Sequence, residues 1–383
     1  MIFLGAGASA CFGIPTTPGL TKQIVRVLTK SDPTLLKAIR VFAKDNNIDF
    51  HFENILTAMT ALSSPAEVDR NHWSHIFAAR FPNQIGDYTE IIEKMYNMIC
   101  DSCTAPFSQG KEKYLDAQKL ESIFKITFDP LIGVPLSRER PELVFSTNYD
   151  PSIELWCQKR FLKCNDGTKD TNNLECREVL GSERFLKQLQ PEKEGSFFEV
   201  DLVRLHGSVW VYQRSNPESL LKFSVPRDRL LFPDLYEGIL KQKPVLIFPG
   251  QEEKLRRAQW DPMYQFFKDQ MKGYCLFIGY SFRHAVINEP IVDNLENERI
   301  TKLGIMAPNP HKNLGDLLSQ EEIQGYIGRG QIVMMPAEFG KDSAIKHLVQ
   351  WFTHTLGINF TNQPSLLKAA TGWKESRVKR YAG

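Results

Sequence analysis

The spacing of apolar residues divides the chain into two parts. Between residues 17 and 125, apolar side chains recur every three or four positions, which is typical of amphipathic helices. Asp32 and Pro33 supply one of these helices with an N-cap and with a proline at its first position. A short apolar run at residues 1–4 comes before them. We therefore predict one strand followed by a helical module at 20–130.

Short apolar runs bounded by turn residues dominate the later chain, and they predict strands. Helical spacing returns between the later runs, at 260–271, 285–295 and 341–355. This alternation of strands and helices is typical of an α/β fold with a largely parallel sheet. The predicted strands lie at 142–146, 198–205, 209–212, 244–248, 274–278, 303–307 and 331–335.

Two polar segments stand apart from this pattern. Residues 163–196 are rich in Asn, Asp, Lys and Glu, and they predict a surface insertion. Residues 361–383 end in a basic run that is typical of a solvated tail. The remaining chain, 1–360, is predicted to form one domain. Its first apolar run is short for a central strand, which usually has about 5–6 residues. The sequence therefore leaves open whether the native chain starts upstream of Met1.

The composition is that of an ordinary globular protein, and it excludes several classes. The chain has 383 residues, of which 42% are hydrophobic and 24% charged, and its net charge is +2. This balance excludes intrinsic disorder and offers no large basic surface for nucleic acid. No apolar run approaches the ~20 residues that span a bilayer. The seven cysteines are scattered, and no basic segment precedes the first apolar run. We therefore expect reduced thiols and a cytoplasmic protein.

The first predicted strand leads into a glycine-rich turn. Residues 5–10 read Gly-Ala-Gly-Ala-Ser-Ala, which fits the G-x-G-x-x-G/A pattern of turns that bind a pyrophosphate. The same residues also suit close packing of backbone against backbone, so both interpretations stay open. A dehydrogenase would need a second strand ending in Asp or Glu about 20 residues later. Residues 23–28 are instead helical and basic, which disfavours hydride transfer.

Three later strands also end in polar residues. Asn148 and Asp150 follow one strand, His206 follows the next, and Gly279 and Ser281 follow a later one. Each alone has a structural explanation, since Asn and Asp often form turns and a single histidine is more often structural. Ligands of open α/β sheets, however, bind outside the carboxyl ends of the strands. Four such ends in one pattern therefore predict a ligand site.

Taken together, these segments resemble the sirtuin-like NAD-binding domains. They occur in the order found in that family and span most of the chain. The resemblance implies a Rossmann-like parallel sheet of the sirtuin type, with a large helical insertion after its first strand and NAD+ as the ligand. The matching residues are the turn at 5–9, Gly13-Ile14-Pro15, Thr147-Asn148-x-Asp150, His206-Gly207 and Gly279-Tyr280-Ser281.

Two departures separate the chain from the deacylating sirtuins. Pro15 is followed by Thr-Thr-Pro, where those enzymes carry Asp-Phe-Arg. They also hold a structural zinc with two Cys-x-x-Cys pairs, whereas this chain has one such pair, Cys100 and Cys103. A four-thiolate zinc site needs four ligands. We therefore expect no zinc, and the usual acyl-lysine cleft is in question.

Other residues resemble the bacterial sirtuin-like NADases of anti-phage defence. They are Gly-Tyr-Ser-Phe-Arg at 279–283, Ile287-Asn288 and Phe52-Glu53. The chain length, with no recognisable sensor domain, is similar to that of members that accompany a HerA-type hexameric ATPase. The resemblance implies an NAD+ hydrolase that depletes NAD+ in abortive infection, as a homo-oligomer bound to such an ATPase. Two alternatives stay open, namely a sirtuin-type deacylase or ADP-ribosyltransferase, and a non-catalytic NAD-binding assembly subunit.

This resemblance also suggests a role for each candidate residue. Asn148 would bind a ribose hydroxyl or the attacking water. His206 would act as the general base, since histidine is well suited to take a proton near neutral pH. Asp150 would orient Asn148 or the nicotinamide amide, or would simply cap the following helix. The glycine turn would hold the pyrophosphate with N–H and hydroxyl donors. The expected NAD+-binding residues are Gly5, Ala6, Gly7, Ala8, Ser9, Thr16, Gly279, Ser281 and Asn309.

Overall fold

A three-residue strand, β1 (Ile2–Leu4), lies at the centre of the main sheet. It pairs in parallel with β2 (Glu142–Ser146) on one side and with β10 (Gly273–Ile278) on the other. Both neighbours are distant in the chain, so the sheet closes around β1 only when its two halves meet.

The computed structural model describes residues 1–68, 71–132, 142–170, 176–180, 182–189, 200–214, 220–223, 240–247, 261–315 and 317–356.

Every pair of neighbouring strands in this seven-stranded sheet is parallel. Helices connect most of these strands, as parallel pairing requires. The predicted α/β fold with a Rossmann-like parallel sheet is therefore confirmed. The strand order is β12 (Ile332–Pro336), β11 (Ile300–Ala307), β10, β1, β2, β6 (Val200–Arg204) and β3 (Cys164–Asn165).

A second sheet, of five strands, is antiparallel throughout. The run predicted at 209–212 and the described part of the run predicted at 244–248 belong to this sheet, which the sequence did not predict. The polar segment at 163–196 contributes to both sheets through the strands that the structure describes. The order is β4 (Thr168–Asp170), β5 (Cys176–Val179), β8 (Leu220–Phe223), β7 (Gly207–Arg214) and β9 (Leu240–Leu246).

Helices occupy the chain between β1 and β2, in the region where the helical module was predicted. The Asp32 side chain accepts a hydrogen bond from Leu35 N at 2.8 Å, and Pro33 opens the same helix. The predicted N-cap is thus confirmed. The α-helices are α1 (Thr17–Ser31), α2 (Pro33–Asp45), α3 (Phe52–Ser63), α4 (Trp73–Arg80), α5 (Thr89–Thr104), α6 (Ala117–Ile126) and α7 (Phe128–Leu131).

The later helices pack around the two sheets. The three predicted at 260–271, 285–295 and 341–355 are present, each with ends within one residue of the prediction. Among the residues that the structure describes, none of the helices combines the length and the apolar character needed to span a membrane. The predicted tail at 361–383 lies outside the described residues. The helices are α8 (Ser152–Lys159), α9 (Ser182–Gln188), α10 (Asp261–Gln270), α11 (Ala285–Glu296), α12 (Pro310–Leu314), α13 (Gln320–Gly328) and α14 (Asp342–Leu356).

Alternate residues of β1 face two different cores, as the pleat of a strand dictates. Ile2 and Leu4 pack in the core that includes the helical module. Phe3 packs on the opposite face, where its ring stacks on Phe277 at 4.7 Å between centroids and lies 5.6 Å from Phe267. A parallel sheet buried on both faces needs apolar residues at nearly every position. This requirement explains the continuous apolar runs in the sequence.

The turn after β1 packs directly against the turn after β10. Gly5 N donates to the Ile278 carbonyl at 2.9 Å, and Gly7 N donates to the Gly279 carbonyl at 2.8 Å. Gly279 has a φ of +64°, and a Cβ atom added there would lie 2.2 Å from Ala8 N. Only glycine fits such an approach. Close packing of backbone against backbone, one of the two interpretations of the glycine turn, is therefore confirmed.

We predict that Gly279→Ala destabilises the protein more than Gly273→Ala. Both glycines have a left-handed φ, +64° and +63°, which costs another residue about 1–2 kcal/mol. A Cβ at Gly273 would meet no heavy atom within 4 Å, whereas one at Gly279 would overlap the Ala8 backbone. Urea denaturation should show a loss of about 1 kcal/mol for Gly273→Ala and of ~3 kcal/mol or more for Gly279→Ala. Equal losses would contradict the packing of the two turns.

Candidate functional site

A cleft lies over the carboxyl ends of β1, β2, β6 and β10. Its volume is about 690 Å³, which is within the range of about 300–1,000 Å³ that is usual for small-ligand sites. Leu20, Phe52 and Ile123 of the helical module are part of its wall. The cleft lies where the polar strand ends predicted a ligand site.

The candidate residues divide into those that line the cleft and those that do not. Gly5 and Ala8 are buried and lie outside the lining. Asn309 is exposed at the start of α12 and also lies outside it, whereas Asn313, one helical turn later, is part of the lining. The candidates that line the cleft are Ala6, Gly7, Ser9, Thr16, Asn148, Asp150, His206, Gly279 and Ser281.

The side-chain amide of Asn148 is held by a chain of hydrogen bonds. Its Nδ2 donates to Ser9 Oγ at 2.8 Å, and Ser9 Oγ donates to Asp150 Oδ2 at 2.5 Å. This chain determines which end of the amide faces the cleft. The other end, Asn148 Oδ1, is buried and has no hydrogen-bond partner among the described residues. A buried acceptor without a partner is costly, so this oxygen is suited to receive a donor from a ligand.

Asp150 accepts hydrogen bonds with both of its carboxylate oxygens. Its Oδ2 accepts from Ser9, which in turn orients Asn148. Its Oδ1 accepts from Ser152 N at 3.0 Å, at the start of α8. Both carboxylate oxygens are thus engaged within the protein, and the residue is only 2% exposed. Asp150 is therefore a positioning residue for Asn148.

His206 lies where the chain passes from the parallel sheet to the antiparallel one. Its carbonyl accepts from Ile247 N at 3.0 Å, and its buried ring lies 4.7 Å from the ring of His284. The next residue, Gly207, has a φ of +79°, and a Cβ there would lie 2.1 Å from the Val245 carbonyl oxygen. Glycine at this position therefore allows the change of sheet, which places the imidazole in the cleft.

Four N–H groups of the glycine turn are engaged within the protein. The N–H groups of Gly5, Gly7, Ala8 and Ser9 donate to carbonyls of the turn itself or of the neighbouring β10 segment, at 2.8–3.3 Å. The Ser9 hydroxyl is also engaged, since it donates to the adjacent aspartate. These four N–H groups are therefore already engaged within the protein, and pyrophosphate binding at the turn stays a prediction. Their hydrogen bonds build the floor of the cleft.

A network of buried charges supports the loop that carries Asn148. Arg204 donates from Nη1 to the Asn148 carbonyl and from Nη2 to the Asp150 carbonyl, both at 2.6 Å. Glu154 accepts from the same guanidinium, with its side chain 11% exposed. Lys222 donates to Glu154 Oε1 at 2.8 Å. These charges were missed in the sequence, because nothing local in the chain marks which distant residues will pair.

The charges of this network depend on one another. Burial favours a higher pKa for Glu154, but Arg204 and Lys222 outweigh it and lower that pKa to about 2. Lys222 also donates to Asp166 Oδ2 at 2.7 Å and lowers the pKa of Asp166 against the effect of burial. A buried charge is tolerated when it is paired in this way. The network is therefore ionised throughout the neutral pH range.

A second carboxylate, Glu53, reaches the cleft from the start of α3. Tyr149 Oη lies 3.2 Å from Glu53 Oε1 and 3.1 Å from the Ile247 carbonyl oxygen, and it donates its proton to these acceptors. Burial and the Glu53 carboxylate raise the pKa of Tyr149 well above its ordinary value. His51 Nδ1 lies 3.6 Å from Glu53 Oε2. Glu53 had been noted in the sequence as part of a motif, without a role.

The Cys-x-x-Cys pair lies on α5. Cys100 and Cys103 are both buried in the core, and Cys103 also forms part of the cleft wall. Burial raises the pKa of the Cys103 thiol well above its ordinary value. Among the described residues, no three His, Cys, Asp or Glu side chains are arranged to hold a metal ion.

Comparisons with known proteins give similarity in solved structures only. No protein-family model matches the chain, and no curated protein matches it. A crystal structure of a Sir2 homolog–NAD complex aligns with 91% of this chain and 89% of its own, at 13% identity and a TM-score of 0.42. A Sir2–p53 peptide–NAD+ structure aligns with 94% of this chain and 93% of its own, at 11% identity and a TM-score of 0.36. Identities this low say nothing of the chemistry of the cleft.

We predict that Glu154→Gln destabilises the protein by about 3 kcal/mol at pH 7. The folded-state pKa of about 2 lies below the ordinary 4.5. The carboxylate therefore stabilises the fold fully above pH 4.5, and this contribution is lost as the pH falls towards 2. Denaturation in urea between pH 7 and 3 should show a wild-type stability that falls with acid and a variant whose stability falls less.

The exposed pair Arg80–Asp45 provides a matched control. Its atoms are 4.0 Å apart and its side chains are 56% and 49% exposed. Asp45→Asn should therefore change stability by less than about 1 kcal/mol and should leave the acid dependence as in the wild type. If Glu154→Gln behaved like Asp45→Asn, the network would not support the loop.

Proposed function

We propose that this protein hydrolyses NAD+ at the bond between nicotinamide and ribose. The observation that carries the proposal is the buried, unpartnered Asn148 Oδ1 in a cleft that also contains His206. The Asn148 amide is held in place through its Nδ2. Its Oδ1 is therefore oriented to accept a hydrogen bond from a hydroxyl group of ribose or from a water molecule. The resemblance of the strand-end motifs to sirtuin-like domains supports NAD+ as the ligand that supplies this hydroxyl donor.

The reaction breaks the bond between ribose C1′ and the nicotinamide nitrogen. The bonding electrons go to the pyridinium ring, which leaves as neutral nicotinamide, and positive charge develops on the ribose ring. Water then adds to C1′, and His206 accepts the proton that this water loses, which yields ADP-ribose. Asn148 Oδ1 accepts a hydrogen bond from a ribose hydroxyl or from the water and thereby holds the reacting atoms in place.

The pyrophosphate of the dinucleotide would be bound by side chains and not by the engaged N–H groups of the turn. Arg283 and Lys341 both line the cleft. Arg283 lies 3.8 Å from Asp49 in an exposed ion pair, which a phosphate could replace at little cost. Thr16 and Ser281 add hydroxyl groups to the lining. This cleft therefore offers both charge and hydrogen-bond donors to an anionic ligand.

The proposal extends to NAD+ depletion in anti-phage defence, by a cytoplasmic homo-oligomer that binds a HerA-type ATPase. The motifs at 279–283 and 52–53 support it. Of the six large apolar side chains that are exposed among the described residues, four lie in the helical module, which makes this module the proposed place of the assembly contacts. They are Val41, Ile76, Ile85 and Tyr114.

We predict that Asn148→Ala and His206→Ala each lower nicotinamide release from NAD+ by at least ~10²-fold. The first removes the acceptor that positions the reacting atoms, and the second removes the base. Release should be measured by chromatography with the purified protein, alone and with its ATPase partner. His311→Ala, at an exposed histidine of α12 outside the cleft, should leave the rate unchanged.

Three outcomes would contradict the proposal. The wild type releases no nicotinamide in either sample, or both site variants turn over as the wild type does, or turnover requires an acyl-lysine peptide. The last of these would favour a deacylase. Binding of NAD+ without turnover would favour a non-catalytic subunit.

The assembly can be tested through its exposed apolar residues. Ile76 and Ile85 are 64% and 62% exposed on or beside α4. We predict that Ile76→Asp combined with Ile85→Asp lowers the mass of the homo-oligomer, or of the complex with the ATPase, in light scattering after gel filtration. The control variant Phe161→Asp introduces the same type of charge at an exposed residue outside the module, and it should leave this mass unchanged. A monomeric wild type with no affinity for the ATPase would contradict this part of the proposal.

A further inference from the structure

We propose that Glu53 is a further catalytic residue, whose carboxylate stabilises the positive charge that develops on the ribose. This inference rests on the proposed function. Glu53 lines the cleft, and its side chain is only 18% exposed. It is a negative group that the hydrolysis described above does not yet use.

Hydrogen bonds connect Glu53 to the segments that carry Asn148 and His206. Glu53 Oε1 lies 3.2 Å from Tyr149 Oη, which also lies 3.1 Å from the Ile247 carbonyl oxygen. Ile247 N donates to the His206 carbonyl at 3.0 Å. Tyr149 is moreover the residue that follows Asn148. The carboxylate is therefore tied to the two segments that carry the amide and the imidazole.

The other carboxylates in the described lining are poorly suited to this role. Both carboxylate oxygens of Asp150 already accept hydrogen bonds within the protein, from Ser9 and from Ser152. Glu338 is exposed, where water screens its charge. Glu53 keeps Oε1 beside a tyrosine hydroxyl, while Oε2 has His51 Nδ1 at 3.6 Å. It thus combines a fixed position with substantial burial.

Cleavage of the bond between ribose and nicotinamide is favoured by a negative group near the ribose. The pyridinium ring loses its positive charge as the C1′–N bond breaks, and the ribose ring gains it. A fixed carboxylate near that ring is attracted to the charge as it develops, more strongly in a cleft of low dielectric than in water. Glycoside hydrolysis in general uses carboxylates against the same kind of cation. Glu53 stabilises the cation by electrostatic attraction and forms no bond to it.

The first test is Glu53→Gln, which keeps the size and the hydrogen bond to Tyr149 but removes the charge. The rate constant kcat for nicotinamide release should fall ~10²–10³-fold, with KM changed less than about threefold. Glu338→Gln, at the exposed carboxylate of the same cleft, should leave both constants unchanged. A thermal melt that matches the wild type shows that the variant is folded. Unchanged kcat, or a rise in KM alone, would overturn the inference.

Tyr149→Phe tests the fixed position of the carboxylate. This variant keeps the charge of Glu53 but removes the hydroxyl that holds it. Here kcat should fall about tenfold, less than in Glu53→Gln, because a mobile carboxylate still attracts the cation. Addition of Tyr149→Phe to Glu53→Gln should cost little more. Full additivity of the two losses would show that Tyr149 and Glu53 act separately and would overturn this coupling.

A binding experiment separates this inference from the proposed function. An iminoribitol has the shape of ribose but carries a positive charge in its ring, as the transition state does. By calorimetry, the wild type should bind it at least ~10-fold more tightly than ribose, and Glu53→Gln should lose that preference. If nicotinamide release were absent but this preference were present, NAD+ hydrolysis would fail while the role of Glu53 as a cation-stabilising group would stand. If the preference were absent or survived Glu53→Gln, the inference would fail.

Discussion

The geometry of the cleft depends on one guanidinium group. Arg204 donates to the carbonyls of Asn148 and Asp150, two backbone acceptors that burial has removed from water. The planar fork of arginine meets both at once, and Glu154 holds it in turn. His206 follows Arg204 by two residues in the same segment. The end of β6 therefore positions both groups. Arg204 holds the backbone of the loop that carries the Asn148 amide, and the His206 imidazole follows two residues later.

The glycine turn contributes mainly shape to the cleft. The N–H groups of Gly5, Gly7, Ala8 and Ser9 are engaged by carbonyls of the turn itself and of residues 278–279. Backbone packed this closely forms a rigid floor, and Ser9 extends from it to orient Asn148. The groups that face a ligand therefore come from the surrounding walls. They include the amide and imidazole of the strand ends, and Glu53 and Arg283 from helical and loop segments.

Prediction from sequence worked best where burial leaves a local signature. The strand predicted at 142–146 matches β2 residue for residue, because its central residues 143–145 form an unbroken apolar run of the kind that burial on both faces requires. Asp32 was predictable as an N-cap because capping involves neighbours in the chain. The antiparallel sheet was missed although two of its strands were predicted. An apolar run shows that a strand is present, but it carries little information about which strand pairs with it.

The sequence by itself determined that four polar strand ends would meet at one edge, since parallel strands share the direction of their carboxyl ends. It therefore identified Asn148 and His206 as candidates before any coordinates. Tertiary structure alone decided what surrounds them. Ser9 and Asp150 are 141 residues apart, and Tyr149 and Glu53 are 96 apart. Whether such groups meet, and what charge they carry, depends on burial and pairing across the whole chain, which no local pattern records.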